Sequence, residues 1–62
     1  MPQQQIFSLI SLYCAMRKVR MEVVDKALNR IARKHGVSAE FMKEVFAHCL
    51  NEGMTLSQFL HA

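Results

Sequence analysis

A glycine placed two residues before a serine, in Gly36-Val37-Ser38, separates two stretches of helical apolar spacing and limits the paths this chain can take. Upstream, Val23, Val24, Ala27, Leu28 and Ile31 recur at helical intervals, with Lys26, Arg30 and Arg33 on the opposite face. Downstream, Phe41, Met42, Val45, Phe46, Cys49 and Leu50 mark a second amphipathic stretch, with Glu40, Lys43, Glu44, Ala47 and His48 outside. Gly36 suits the left-handed position just past a helix end, where a side chain would crowd a carbonyl oxygen. Ser38 suits the start of the next helix, because its hydroxyl accepts from a backbone amide that has no partner within the helix. Two helices joined by a tight turn follow, with Val37 and Met42 placed as a hydrophobic staple around Ser38.

From Gln3 to His35 there is neither glycine nor proline, so apolar spacing alone must divide the first half of the chain. Ile6, Phe7, Leu9, Ile10, Leu12, Tyr13, Cys14, Ala15 and Met16 point in nearly every direction around a helix, which predicts burial on most sides. If that helix continued unbroken, Arg20 would fall inside the apolar seam that runs from Leu9, Tyr13 and Met16 to Val24. A single helix from Gln3 to His35 would also be about 45 Å long, too long for a lone chain of this size. A break between Arg17 and Glu22 relieves both conflicts, while residues 15–24 stay open between helix, bend and strand. After the third helix, Gly53 gives a stop and Thr55-Leu56-Ser57-Gln58 reads as a capping box, with Met54 and Phe59 around it. The expectation is an all-α fold in one domain, 1–62, of three or four helices at about 3–17, 22–35, 39–51 and 56–61. The first two are either separate or merged into one long bent helix.

Sixty-two residues bury too little apolar surface for comfortable stability, so a further source of stability is expected. The two cysteines, Cys14 and Cys49, lie in apolar runs where a reduced thiol packs as a small hydrophobe, which leaves self-association. A homodimer is expected, with Ile6, Leu9, Ile10, Leu12, Tyr13 and Met16 as its interface. The apolar run is half of what a membrane span needs, which is roughly 20 residues. Its positive charge follows the run rather than preceding it, unlike a signal peptide, so a cytoplasmic chain with no membrane partner is expected.

Chemistry-bearing residues are few and scattered. No paired carboxylates, Gly-rich phosphate loop or nucleophile-base spacing is present, and the expectation is a protein that is not an enzyme, with no small-molecule substrate and no cofactor. Cys14, His35, His48 and Cys49 have the donor atoms for zinc, but no C-x-x-C or H-x-x-x-H pair supports a metal site. Charge is more telling. The net charge is +3, and Arg17, Lys18, Arg20, Lys26, Arg30, Arg33 and Lys34 crowd into the second quarter of the chain and its margins, leaving only Lys43 outside. Such a cluster suits a polyanion, and equally a solvated helix face.

Residues 31–45 resemble the bacterial helix-turn-helix, with Ala32, Gly36, Val37, Met42 and Val45 at its small, turn and apolar positions. The resemblance implies that the second helix enters the major groove and that Ser38, Ala39, Glu40, Lys43 and Glu44 face the bases. Glu40 and Glu44 oppose that mode, since phosphates repel carboxylates. Leu28, Ile31, Ala32, Gly36, Ser38, Met42 and Val45 are also similar to the two helices of ribbon-helix-helix repressors, which are intertwined dimers. That likeness implies a strand over Lys18-Val19-Arg20-Met21-Glu22-Val23 and a helix from Lys26 capped by Asp25. The bulky run Ile6 to Met16 departs from it. The expected function is a dimeric regulator binding double-stranded DNA through Arg17, Lys18, Arg20, Arg30, Arg33, Lys34, Ser38 and Lys43. The alternative is a helical protein-protein interaction module whose interface is the apolar N-terminal segment.

Overall fold

The computed structural model describes residues 2–61 and holds four helices: α1 Gln3–Arg17, α2 Met21–His35, α3 Ala39–Asn51 and α4 Leu56–Leu60. Each ends for a visible reason. At the close of α1, Lys18 takes the left-handed conformation (φ 55°) and the Val19 N–H donates to the Cys14 carbonyl at 3.0 Å. Gly36 does the same for α2 at φ 67°, with the Val37 N–H reaching the Ala32 carbonyl at 2.9 Å. The Ser38 hydroxyl then accepts from the Phe41 N–H at 3.0 Å and opens α3. Gly53 (φ 90°) turns the chain out of α3, and the Thr55-Gln58 capping box starts α4 through a reciprocal pair of bonds at 2.9 and 3.2 Å.

Residues 15–24, open on sequence grounds, are therefore helix, a three-residue corner, and helix again. The strand and the later helix start implied by the ribbon-helix-helix likeness do not form, because Met21 to Val23 already belong to α2. The corner explains why: it folds Val19 onto the core and leaves Arg20 in solvent, where an unbroken helix would have driven Arg20 into the apolar seam. A merged first helix is likewise absent, since the longest dimension of the molecule is 29 Å.

Helix α3 lies between α1 and α2, which scarcely touch each other, and α4 packs on the end of α3. The core is one cluster: Ile10 and Cys14 from α1, Val24, Leu28 and Ala32 from α2, Met42 and Phe46 from α3. Phe46 is fully buried and meets the Tyr13 ring edge-on at 5.8 Å and the Phe59 ring at 5.2 Å. Two expectations about α3 are corrected here. Ala47, expected outside, is fully buried, and Phe41, expected on the buried face, is 52% exposed. A helix packed against two neighbours buries two flanks, so the covered arc is rotated and widened relative to its large apolar side chains.

Helix α4 has five residues and is too short to persist on local propensity. Tyr13 holds it from a distance: its hydroxyl accepts from the Leu56 N–H at 2.8 Å, a bond between residues 43 positions apart.

Two substitutions test this account by thermal unfolding followed by circular dichroism. Ala47→Leu is expected to overpack the centre and cost about 1–3 kcal/mol. Lys18→Gly is expected to stabilise by about 0.5–1 kcal/mol, because glycine adopts the left-handed corner without steric penalty while loosening the unfolded chain only modestly.

Candidate nucleic-acid interface

The inward residues of α2 are Val24, Leu28 and Ala32, so helical geometry turns Lys26, Arg30 and Arg33 into solvent on the far side, with Lys34 beside them. All four are exposed, and none has an ion pair with a described residue. Lys26 sits one turn before Arg30 on the same exposed face, where apolar spacing placed it, although it was not among the expected DNA contacts. Arg17, Lys18 and Arg20 gather at the opposite end of α2, around the corner. Thirteen residues of helix separate Arg20 from Arg33, roughly 20 Å at 1.5 Å per residue. The structure thus sets Arg17, Lys18 and Arg20 at one end of α2 and spreads the other basic residues along its solvent face to the far end.

Electrostatics within the chain account for part of this pattern. Arg33, Lys34 and His35 occupy the last turn of α2, where positive charge opposes the exposed carbonyl dipoles. Arg20 lies 4.0 Å from Glu22, with both side chains more than 70% exposed, so water screens the pair and little stability comes from it.

Ser38 and Lys43 are placed elsewhere. The Ser38 hydroxyl is engaged in capping α3. Lys43 is half-buried and turned toward α2, where its ammonium lies 3.8 Å from the Asp25 carboxylate. The outward face of α3 instead presents Phe41, Glu44 and His48, with Val45 half-buried beside them, and His48 stands 4.0 Å from Glu52. A tight turn joins α2 to α3, but Glu40, Phe41 and Glu44 are what the first turns of α3 expose. That surface repels phosphate.

A groove of about 610 Å³ opens between the N-terminal parts of α1, α2 and α3. Ile6, Phe7 and Met21 give it an apolar lining, and Asp25, Glu40 and Glu44 give it carboxylates, with the Lys43 ammonium beside Asp25. Its chemistry is opposite to that of the α2 face. Phe7, one member of the apolar N-terminal run in the sequence, is 61% exposed here.

The residues expected at an oligomer interface divide in two. Ile10 is part of the core, and Ile6 and Tyr13 pack against it. Leu9 is half-buried, whereas Leu12 and Met16 are 59% and 73% exposed on the outer side of α1. Spacing could have shown this division: Ile6, Ile10, Tyr13 and Cys14 form one stripe and Leu9, Leu12 and Met16 another. Continuous hydrophobicity concealed it.

Cys14 is buried in the core and Cys49 is half-buried, both as free thiols. Burial pushes the Cys14 thiol above its ordinary range, and the nearby Asp25 carboxylate adds to the effect. Among the described residues, no three His, Cys, Asp or Glu side chains are grouped so as to hold a metal ion, and no helix is long and apolar enough to cross a membrane. Comparison with known protein families, curated proteins and solved structures finds no match to this chain.

The cysteines give a direct check on this geometry. In the native protein at pH 8, Ellman's reagent is expected to label Cys49 first and Cys14 only as fast as the fold opens. Because the folded-state thiol is raised, the contribution of Cys14 to stability is complete below its unfolded value of 9.0 and declines as pH rises through the folded value. Equal labelling rates for the two thiols would contradict the buried position of Cys14.

Proposed function

We propose that this protein is a non-enzymatic, homodimeric regulator of the cytoplasm that binds double-stranded DNA through the solvent face of α2. Contact is with backbone phosphates rather than by insertion of α3 into the major groove. The observation that carries this reading is the segregation of charge. Lys26, Arg30, Arg33 and Lys34 share the exposed side of α2, with Arg17, Lys18 and Arg20 at its end; of the five side-chain carboxylates only Glu22, beside Arg20, is exposed on α2, while Asp25, Glu40, Glu44 and Glu52 lie toward or near α3. A sequence-independent charge contact needs such a one-sided surface, and a second copy doubles the number of phosphates engaged.

A second reading has its own support. Leu12 and Met16 stand in solvent although the core is complete without them, which suits a module that docks on another protein through α1.

Titration of mixed-sequence duplex DNA at two salt concentrations separates the two readings. Binding should weaken steeply with salt, and Arg30→Ala with Arg33→Ala should flatten the slope of log affinity against log salt by about one for each phosphate no longer neutralised. Absence of binding at low salt would end the nucleic-acid reading.

A further inference from the structure

We infer that two copies of this chain pair through the outward stripe of α1, antiparallel, with Leu12 beside the two-fold axis. The inference rests on the homodimer reading above and is independent of DNA binding. Leu9, Leu12 and Met16 are spaced by three and four residues, the spacing of a short coiled-coil seam, and Gln5 extends it by one position. Leu12 and Met16 are well exposed and Leu9 is half-buried, so the stripe lies outside the core that α1 already shares with α3.

Given a homodimer, charge decides which helix face can meet its own copy. A two-fold contact brings a patch against itself, so any patch of one sign repels its own copy. The solvent face of α2 carries Lys26, Arg30 and Arg33, and the outer face of α3 carries Glu40 and Glu44. Neither can meet itself without bringing like charges together. Residues 3–16 contain no Asp, Glu, Lys, Arg or His at all, so α1 offers the one helix face among these three that is neutral and apolar together.

The same reasoning sets the direction. Parallel helices would place Arg17 and Lys18 of both copies side by side. In an antiparallel pair centred on Leu12, each Arg17 lies five residues beyond the axis on opposite ends. That is roughly 15 Å between the two along the helices, beyond the screening length at physiological salt. Leu12 then meets Leu12, and Leu9 lies within one residue, about 1.5 Å along the axis, of the level of the partner's Met16. The opposed helix dipoles add to the preference.

Sedimentation equilibrium at micromolar concentration, with circular dichroism alongside, tests the pairing. The wild type is expected at twice the 7.2 kDa of one chain. Leu12→Glu should keep its helix content and weaken self-association by about a hundredfold or more, since two carboxylates would face each other at the axis. If Leu12→Glu unfolds, Met16→Glu, at the more exposed position, takes its place. For direction, Leu9→Cys and Met16→Cys chains, each with Cys49→Ala, are oxidised separately and mixed. Antiparallel pairing predicts rapid crosslinking in the mixture alone. A wild type that sediments as one chain, a dimer indifferent to both glutamates, or crosslinking of each variant with itself would overturn the proposal. Loss of DNA binding with an intact dimer would remove only the role assigned to α2.

Discussion

Phe46 is the point through which most of this fold is held. Its ring is fully buried on α3, meets Tyr13 from α1 and Phe59 from α4, and belongs to the cluster that includes Val24 and Leu28 of α2. Helices α1 and α2 have little direct contact, so the relation between them is transmitted through α3. Truncating a buried phenylalanine to alanine typically costs about 3–5 kcal/mol, comparable to the whole stability a core of this size supplies. The arrangement is efficient for a short chain, because one aromatic side chain joins elements from both ends.

The parts of the fold legible in the sequence are those decided within a few residues. Gly36, Ser38 and the Thr55-Gln58 box act on neighbouring backbone groups, and each does so where its spacing indicated. The parts that stayed hidden depend on partners distant in sequence. Ala47 has no polar or bulky signature, so its burial follows only from α3 having two neighbours. Lys43 looks like a surface charge until Asp25 is placed opposite it by the α2–α3 turn. Lys18 gives no sequence sign of a left-handed corner, since glycine is the residue that usually marks one. The candidate interface was readable as composition and only partly as geometry: the basic residues were evident, but the separation of Arg17, Lys18 and Arg20 from the solvent face of α2 needed the corner at Lys18.

The pairing of Lys43 with Asp25 also shapes the field of the molecule. It partly shields the one lysine outside the basic cluster and leaves Glu40, Glu44 and, just past the helix end, Glu52 exposed on the α3 side, while α2 exposes four Lys or Arg side chains and one acidic, Glu22. A small body with mostly basic side chains exposed on one helix and acidic ones on its neighbour carries a dipole. Such a dipole orients the molecule during approach to a charged surface before any contact is made, and the effect fades as salt shortens the range of the field.

The bond from the Leu56 amide to the Tyr13 hydroxyl joins the last short helix to the first long one. Helix α4 has only five residues, and it is otherwise held by a local capping box, the contact of Phe59 with Phe46 and the packing of Leu56 against the core. Its amides should therefore exchange with solvent through a local opening of low energy, while those of α3 wait for global unfolding. When α4 lifts, the Tyr13 hydroxyl loses its donor and one side of the Phe46 ring loses its cover. Breathing at the C-terminus is thus registered in the middle of α1, a few residues from Leu12 and Met16, and the chain's two ends share one fluctuation.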